Sequence, residues 1–144
     1  MHLKKLMASL GAVICLSTCF NAAAFAETTD YYAEEISPAY EIAENPISTL
    51  SIIDSTAYCT SETRGEVVSI TVEQTLEKYS GWFWIWNNVD GASWTKTVNT
   101  NTIRLSNTKS GLSSGTYRLK SVFTLTSSSG KTETITIYSA EKSI

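Results

Sequence analysis

The feature that most restricts the fold of this chain is an alternation of apolar and polar residues with a period of two. In the segment 66–79, Val68, Ile70, Val72 and Leu76 share one parity, and from 69 to 77 the other parity is Ser, Thr and Glu. Successive side chains of a β-strand point to opposite faces, so this pattern predicts a strand with one buried face. From residue 50 onward the chain is rich in Ser, Thr, Val and Ile and has no helical period. We therefore predict an all-β domain.

Turn signals divide this domain into about seven predicted strands. An Asp-Gly pair is a strong hairpin signal, so we predict a turn at Asp90-Gly91, and Ser80-Gly81 is a second break in the pattern. We predict a first strand over 50–60, followed by a turn at 61–65. The other predicted strands lie at 66–79, 82–89, 93–99, around 103–105, at 117–126 and at 131–138.

A six-residue motif before a late strand resembles the tyrosine corner of Greek-key β-sandwiches. The motif is Leu112-x-x-Gly115-x-Tyr117, and in such corners the Tyr hydroxyl bonds back to the backbone. Immunoglobulin-like domains also bury a Trp on the third strand, and Trp84 falls on about the third predicted strand. The resemblance implies an immunoglobulin-like antiparallel β-sandwich in which these four residues are structural. The chain lacks the cysteine pair of antibody domains.

The N-terminal segment 1–26 has the three parts of a secretory signal peptide. Lys4 and Lys5 precede an apolar stretch at 6–20, and Ala24-Phe25-Ala26 is an A-x-A cleavage site. We predict cleavage after Ala26 and a secreted or cell-surface protein. The apolar stretch is too short for a stable span, so the mature protein should have no transmembrane segment.

A lipid anchor at Cys19 is the alternative to cleavage after Ala26. The residues 16–19, Leu-Ser-Thr-Cys, look like a lipobox, although Thr18 departs from the Gly, Ala or Ser that such boxes prefer before the cysteine. In both cases the next segment, 27–49, is acidic and carries both prolines of the chain. We predict a flexible leader at 27–49 and the β-sandwich domain at 50–144.

The residues that remain after export exclude most kinds of catalytic site. The only histidine is His2, and Cys15 and Cys19 also lie in the signal peptide, which leaves Cys59 as the one cysteine. A Ser-His-Asp triad, a Cys-His pair and a thiolate zinc site are therefore excluded. We predict a protein that is not an enzyme and needs no metal or cofactor. A lone cysteine in such a chain is expected to be buried.

The run Trp82 to Trp86 allows two interpretations. Part of it can be core, with Trp84 as the structural residue. Alternatively, exposed indole rings of Trp82, Trp86 and Trp94 stack on sugar rings while Asn87 and Asn88 bond to hydroxyls, which would make a carbohydrate- or cell-wall-binding face. Exposed aromatic residues can equally form a protein interface. The sequence leaves these interpretations open.

The chain also resembles small exported proteins of Gram-positive bacteria that carry a domain of unknown function. The resemblance rests on four stretches, at 76–79, 82–86, 115–118 and 129–133. It implies export and the fold but no activity. We expect a non-catalytic binding or interaction module of the cell envelope or extracellular space, whose partner is a cell-wall glycan or another extracellular protein.

Net charge bears on two further partner classes. The segment 27–144 carries nine basic and fourteen acidic residues. Nothing in it is a basic footprint for nucleic acid, so no nucleic-acid partner is expected. A bacteriocin-like, membrane-active protein is a third possibility that interfacial tryptophans favour, but the acidic excess argues against it because such proteins usually exploit positive charge.

Overall fold

The computed structural model describes residues 39–144, which form an all-β domain with no helix among them. The strands are β1 (Ala43–Ile53), β2 (Thr56–Gly65), β3 (Ser69–Ser80), β4 (Ile85–Val98), β5 (Thr102–Lys109), β6 (Thr116–Thr126), β7 (Thr132–Tyr138) and the short β8 (Lys142–Ser143). The predicted signal peptide, the alternative anchor at Cys19 and most of the predicted leader lie outside the described residues.

The strands form two antiparallel sheets. The first sheet has the order β1-β2-β5, and the second has the order β4-β3-β6-β7 with β8 beside β6. The chain changes sheet between β2 and β3, between β4 and β5 and between β5 and β6. The core contains side chains from both sheets, as expected for a sandwich. The prediction of an immunoglobulin-like antiparallel β-sandwich with about seven strands is confirmed.

The first hairpin lies where the sequence predicted one continuous strand. Asp54 and Ser55 form a two-residue turn between β1 and β2, with φ angles of 46° and 61°. Positive φ at both positions is the requirement of a type I′ hairpin turn, and Asp tolerates it better than most residues. The predicted strand at 50–60 and the predicted turn at 61–65 are therefore wrong, because 61–65 belongs to β2.

The sandwich begins earlier than the predicted boundary at residue 50. Strand β1 starts at Ala43 and pairs with β2. The Glu133 carboxylate accepts hydrogen bonds from the backbone N–H groups of Glu41, Ile42 and Ala43, each at 2.9 Å. The prediction of a flexible leader at 27–49 is thus wrong for its last residues, because strand pairing and this carboxylate hold them.

The Asp90-Gly91 pair lies inside β4 and does not form a hairpin turn. Thr75 of β3 pairs with Ser93, whereas Glu77 pairs with Asn88, so β4 carries extra residues between these two pairs. Gly91 lies within this bulge with a φ of 66°. A bulge needs the same tolerance of positive φ as a tight turn, which is why the turn signal misled the prediction.

A buried polar layer separates the core into two apolar clusters. One cluster contains Leu76, Tyr117 and Leu119, and the other contains Ile70 and Phe123. The remaining members are Leu50, Ala57, Cys59, Ala92 and Leu112 in the first cluster, and Ala43, Val72, Ile103, Leu125 and Ile135 in the second.

The polar layer is one connected hydrogen-bond network. The Gln74 side-chain nitrogen donates to the Ser61 hydroxyl at 2.8 Å and to the Leu105 carbonyl at 2.9 Å. Asn107 donates to the Gln74 side-chain oxygen at 2.9 Å. The hydroxyls of Ser61 and Ser121 lie 2.6 Å apart, and Ser121 donates to Ser48. Each of these polar side chains therefore has a hydrogen-bond partner in the network, as buried polar groups require.

The two ends of the sandwich carry different segments. Strand β1 begins at one end, where Ala43 pairs with Gly65 and where β6 ends at Thr126 beside Ser69. We call this the first-strand end. The β3–β4 hairpin and the start of β6 lie at the opposite end. The first described residues and the hairpin connection are therefore at opposite ends of the domain.

Candidate functional site

The tryptophan run forms the tip of the β3–β4 hairpin. Ser80 pairs with Ile85, and the four residues between them, 81–84, make the connection. The Ser80 carbonyl accepts hydrogen bonds from the N–H groups of Phe83 at 3.2 Å and Trp84 at 3.0 Å. The backbone of the connection is thus closed by its own hydrogen bonds. We call residues 82–85 the aromatic tip.

All four side chains of the aromatic tip are exposed. The exposed fractions are 92% for Trp82, 72% for Phe83, 83% for Trp84 and 47% for Ile85. Large apolar side chains usually lose most of their exposed surface on folding, and contiguous exposed apolar patches mark interaction sites. The aromatic tip is therefore the candidate binding site of the described domain.

The prediction that Trp84 is a structural core residue is wrong. The hairpin turns where the sequence predicted the strand 82–89, because Ser80-Gly81 begins a connection and does not merely separate two strands. Trp84 has a φ of 58°, in the left-handed region that costs a side-chain-bearing residue energy and that Gly or Asn fills more easily. The backbone conformation at this position therefore does not favour a tryptophan.

The three tryptophans predicted to share one binding face do not do so. Trp82 is at the tip, whereas Trp86 pairs with Tyr79 and Trp94 pairs with the buried Gln74. Directly paired residues share a face of the sheet, so Trp86 faces outward and Trp94 faces the core. Trp94 is partly buried against the first apolar cluster. A single platform of Trp82, Trp86 and Trp94 is therefore not formed.

The two asparagines predicted to bond to a sugar follow the tip on β4. Asn87 pairs with Lys78 and Asn88 pairs with Glu77, and both asparagine side chains are exposed. Neighbouring strand residues point to opposite faces, so only Asn88 shares the outward face with Trp86. The structure thus brings one of the two amides onto the same face as a predicted tryptophan.

A second aromatic group surrounds Arg118 on the outward face of the five-stranded sheet. The Arg118 guanidinium lies 4.2 Å from the ring centre of Trp86 and 4.1 Å from that of Tyr138. It also donates a 2.7 Å hydrogen bond to the Glu77 carboxylate. Tyr79 contacts Trp86 with ring centres 5.3 Å apart. We call these five residues the Arg118 cluster.

Sequence reasoning missed the Arg118 cluster and the exposure of Phe83. The cluster joins β3, β4, β6 and β7, so its members are far apart in the sequence and only strand pairing brings them together. Glu77, Arg118 and Tyr138 each have the parity opposite to the apolar residues of their strand, which was the available signal. Phe83 could have been found by treating Ser80-Gly81 as the start of a hairpin connection.

The residues predicted for a tyrosine corner have the geometry of that motif. The buried Tyr117 hydroxyl donates a 2.6 Å hydrogen bond to the Ser113 carbonyl. Leu112 is buried in the first apolar cluster. Gly115 has a φ of 150°, and a Cβ there would lie 2.5 Å from the Lys78 Cε. This corner fixes the loop that leads into β6, next to the base of the aromatic tip.

Besides Lys131, whose pKa is raised by its hydrogen bond to the Glu41 carboxylate, two ionisable groups have shifted pKa values. Burial raises the pKa of the Cys59 thiol to about 12, so this buried cysteine stays protonated and is a poor nucleophile. For Glu133, burial would raise the pKa, but the hydrogen bonds from Glu41, Ala43 and Ile42 and the charge of Lys131 outweigh burial and lower it. Both groups lie away from the aromatic tip, in the core and at the first-strand end.

The described residues offer little for metal chemistry. Within 39–144 there is no group of three or more His, Cys, Asp or Glu side chains arranged to hold a metal ion. Over the same residues every buried side-chain nitrogen and oxygen has a hydrogen-bond partner.

This part of the chain also contains no helix with the length and apolarity to cross a membrane.

No protein-family model matches the chain, and no curated protein matches it. Among solved structures, wild-type OgpA from Akkermansia muciniphila is similar, with 9% identity and a TM-score of 0.44, over 73% of this chain and 31% of that one. Catalytically inactive OgpA in complex with an O-glycopeptide substrate gives 12% identity and a TM-score of 0.36, over 73% of this chain and 32% of that one.

A domain of a second solved protein is also similar. The CARDB domain of a Pyrococcus furiosus protein, in complex with di-metal ions, gives 13% identity and a TM-score of 0.33, over 71% of this chain and 95% of that one. The chain spans about a third of the OgpA structures. With TM-scores below 0.5, none of these likenesses bears on the function of this protein.

Proposed function

We propose that this protein is an exported, non-catalytic binding module that contacts its partner through the aromatic tip. The observation that carries the proposal is the exposure of Trp82, Phe83 and Trp84 at a hairpin end. Exposed aromatic side chains supply much of the binding energy at interaction sites, because covering them removes a large apolar area from water. The export signal in the sequence supports an extracellular or cell-envelope location.

The backbone conformation of Trp84 supports the same proposal. A residue with φ of 58° would cost less as Gly or Asn, and strained backbone positions cluster at functional sites. The side chain is exposed, so it does not offset this cost by packing in the core. A role in binding accounts for a large aromatic residue at such a position.

The test is binding by the protein with and without its aromatic tip. The tip variant carries Trp82→Ser, Phe83→Ser and Trp84→Gly. The control variant carries Tyr58→Ser and Val68→Ser, which remove two exposed apolar side chains elsewhere. Co-sedimentation with purified peptidoglycan and with lipid vesicles, and self-association by analytical ultracentrifugation, measure binding. We expect the tip variant alone to lose at least one of these associations, and equal behaviour of all three proteins would contradict the proposal.

A carbohydrate-binding site is a second candidate, and the Arg118 cluster favours it. Trp86, Tyr79 and Tyr138 are partly exposed aromatic rings on one sheet face, beside the guanidinium of Arg118. Aromatic rings next to charged hydrogen-bonding groups suit sugar rings and their hydroxyls. The variant Trp86→Ala with Tyr138→Ala should abolish glycan-array binding if this candidate is right, whereas the tip variant should keep it.

A further inference from the structure

We infer that the partner of the aromatic tip is the interfacial region of a lipid bilayer. In this arrangement Trp82, Phe83 and Trp84 enter the boundary between headgroups and acyl chains, while the sandwich stays in water. The inference rests on the proposed function, because it names the partner of the same tip. It describes shallow attachment by a hairpin, without a membrane-spanning segment.

The hairpin projects beyond the strand beside it. Pairing between β3 and β6 ends at Lys78, whereas pairing between β3 and β4 continues to Ser80 and Ile85. Two further residue pairs extend the hairpin by about 7 Å, and the four-residue connection lies beyond them. This length matches the roughly 5–10 Å to which interfacial protein elements enter the headgroup boundary.

The hairpin end carries no charged side chain between the tip and the level at which Lys78 pairs with Asn87. Trp82 to Ile85 are apolar, and Ser80, Asn87 and Asn88 are polar but uncharged. The whole stretch of eleven residues from Tyr79 to Val89 contains no charged side chain. Trp and Tyr rings favour the headgroup level, and charged groups are costly at greater depth. The charged Lys78 and Asp90 therefore stay in water when the tip is inserted.

The domain makes few contacts with the exposed rings that would fix their arrangement. Trp82 is 92% exposed, so its ring has almost no protein neighbours. A sugar platform or a protein pocket gains specificity from rings that are fixed before binding. A bilayer interface has no fixed shape, so it accepts aromatic side chains in many orientations. This difference favours lipid over a sugar or a protein as the partner of the tip.

Charge predicts how this attachment depends on lipid and salt. The described residues carry nine basic and ten acidic side chains, so the domain has no excess of positive charge for anionic headgroups. Binding must then come from the transfer of apolar side chains, which salt does not screen. We expect equal or tighter binding to zwitterionic than to anionic vesicles.

The experiment uses the exported protein that begins at residue 27, with vesicles of pure phosphatidylcholine and of phosphatidylcholine with phosphatidylglycerol. We expect phosphatidylcholine vesicles to shift tryptophan emission to the blue and to co-sediment the protein equally at low and high salt. Brominated phosphatidylcholine should quench the shifted emission. The tip variant should bind at least tenfold more weakly, and the control variant with Tyr58→Ser and Val68→Ser should bind like the wild type.

The outcomes separate this inference from the proposed function. Absence of vesicle binding, combined with tip-dependent binding to peptidoglycan or tip-dependent self-association, would overturn the lipid inference and leave the proposed function standing. Vesicle binding that the tip variant retains would overturn the inference as well. If the tip variant keeps every association of the wild type, both the lipid inference and the proposed function are wrong. Circular dichroism and the urea midpoint establish that each variant is folded, and Trp82→Ser alone replaces the triple variant if it is not.

Discussion

The β3–β4 hairpin places a polar side chain in the core and aromatic side chains in water. In the middle of β3, Gln74 is fully buried and all its polar side-chain atoms are hydrogen-bonded. At the end of the hairpin, Trp82 and Trp84 are among the most exposed apolar residues of the domain. The buried amide has its partners within the fold, whereas the exposed rings do not. The difference fits our proposal that the strands of the hairpin stabilise the fold and that its end contacts a partner.

The largest effect on the free energy of unfolding is expected for a substitution of Gln74. The substitution Gln74→Leu should lower the free energy of unfolding by about 2–4 kcal/mol, because it removes the hydrogen bonds of the buried amide to Ser61, Asn107 and the Leu105 carbonyl. Urea unfolding followed by circular dichroism measures this. The control Thr71→Val removes an exposed hydrogen bond on the same strand and should cost less than about 0.5 kcal/mol. A similar loss of unfolding free energy in both variants would contradict the expected difference between buried and exposed hydrogen bonds.

Tyr117 sharpens the comparison, since it is an aromatic residue near the tip that is buried. The substitution Tyr117→Phe removes only the hydroxyl that donates to the Ser113 carbonyl. We expect a loss of about 1–2 kcal/mol in the free energy of unfolding. The matched substitution Tyr138→Phe, at an exposed tyrosine, should change it by less than about 0.5 kcal/mol. Equal effects would mean that the corner hydrogen bond contributes nothing.

Glu133 tests a polar contact at the first-strand end. The substitution Glu133→Gln should cost about 1 kcal/mol at pH 7, because a neutral amide accepts the three backbone N–H groups less well. The folded-state pKa of Glu133 lies below its ordinary value, so its contribution is complete above the ordinary value and is lost as pH falls through the folded-state pKa. Urea midpoints of wild type and variant should therefore converge in acid. A constant difference down to low pH would contradict this.

The smallest effect, with the opposite sign, is expected at the tip. The substitution Trp84→Gly should leave the free energy of unfolding unchanged or raise it by up to about 1 kcal/mol, because Gly adopts positive φ without strain. The control Trp86→Gly lies within a strand and contacts Arg118, so it should cost at least about 1 kcal/mol. Destabilisation by Trp84→Gly equal to that of the control would show that the tip is part of the fold.

The sequence was sufficient for the fold class because period two and the tyrosine-corner motif both depend on local residues. Tyr117, Leu119, Phe123 and Leu125 alternate with polar residues in the sequence and are all buried, and so is Cys59. Val68, which shares the apolar parity of the segment 66–79, is instead exposed because it precedes β3. Gln74 shares the parity of the buried residues on β3, but the alternation of residues does not show which groups hydrogen-bond to a buried amide. Its partners come from other strands and only the tertiary structure reveals them.

The errors arose where one residue pattern fits two backbone conformations. Asp90-Gly91 suits a turn or a bulge, and Asp54-Ser55 forms a tight turn without the glycine that usually signals one. Pro46 suggested a leader, yet it lies in β1 where the register shifts between Glu44 and Ile47, a place that tolerates proline. The run of tryptophans suggested a strand because aromatic residues favour strands, whereas the strain at Trp84 is a property of the folded backbone.

The opposite positions of the aromatic tip and the first described residues have a mechanical consequence. A force between a partner held at the tip and the chain at Tyr40 acts along the strands. The hydrogen bonds between strands run perpendicular to them, so such a force shears many of them at once and does not open them one after another. Antiparallel strands loaded in this direction resist extension, so under the proposed function the domain would transmit tension between a partner at the tip and the chain at Tyr40.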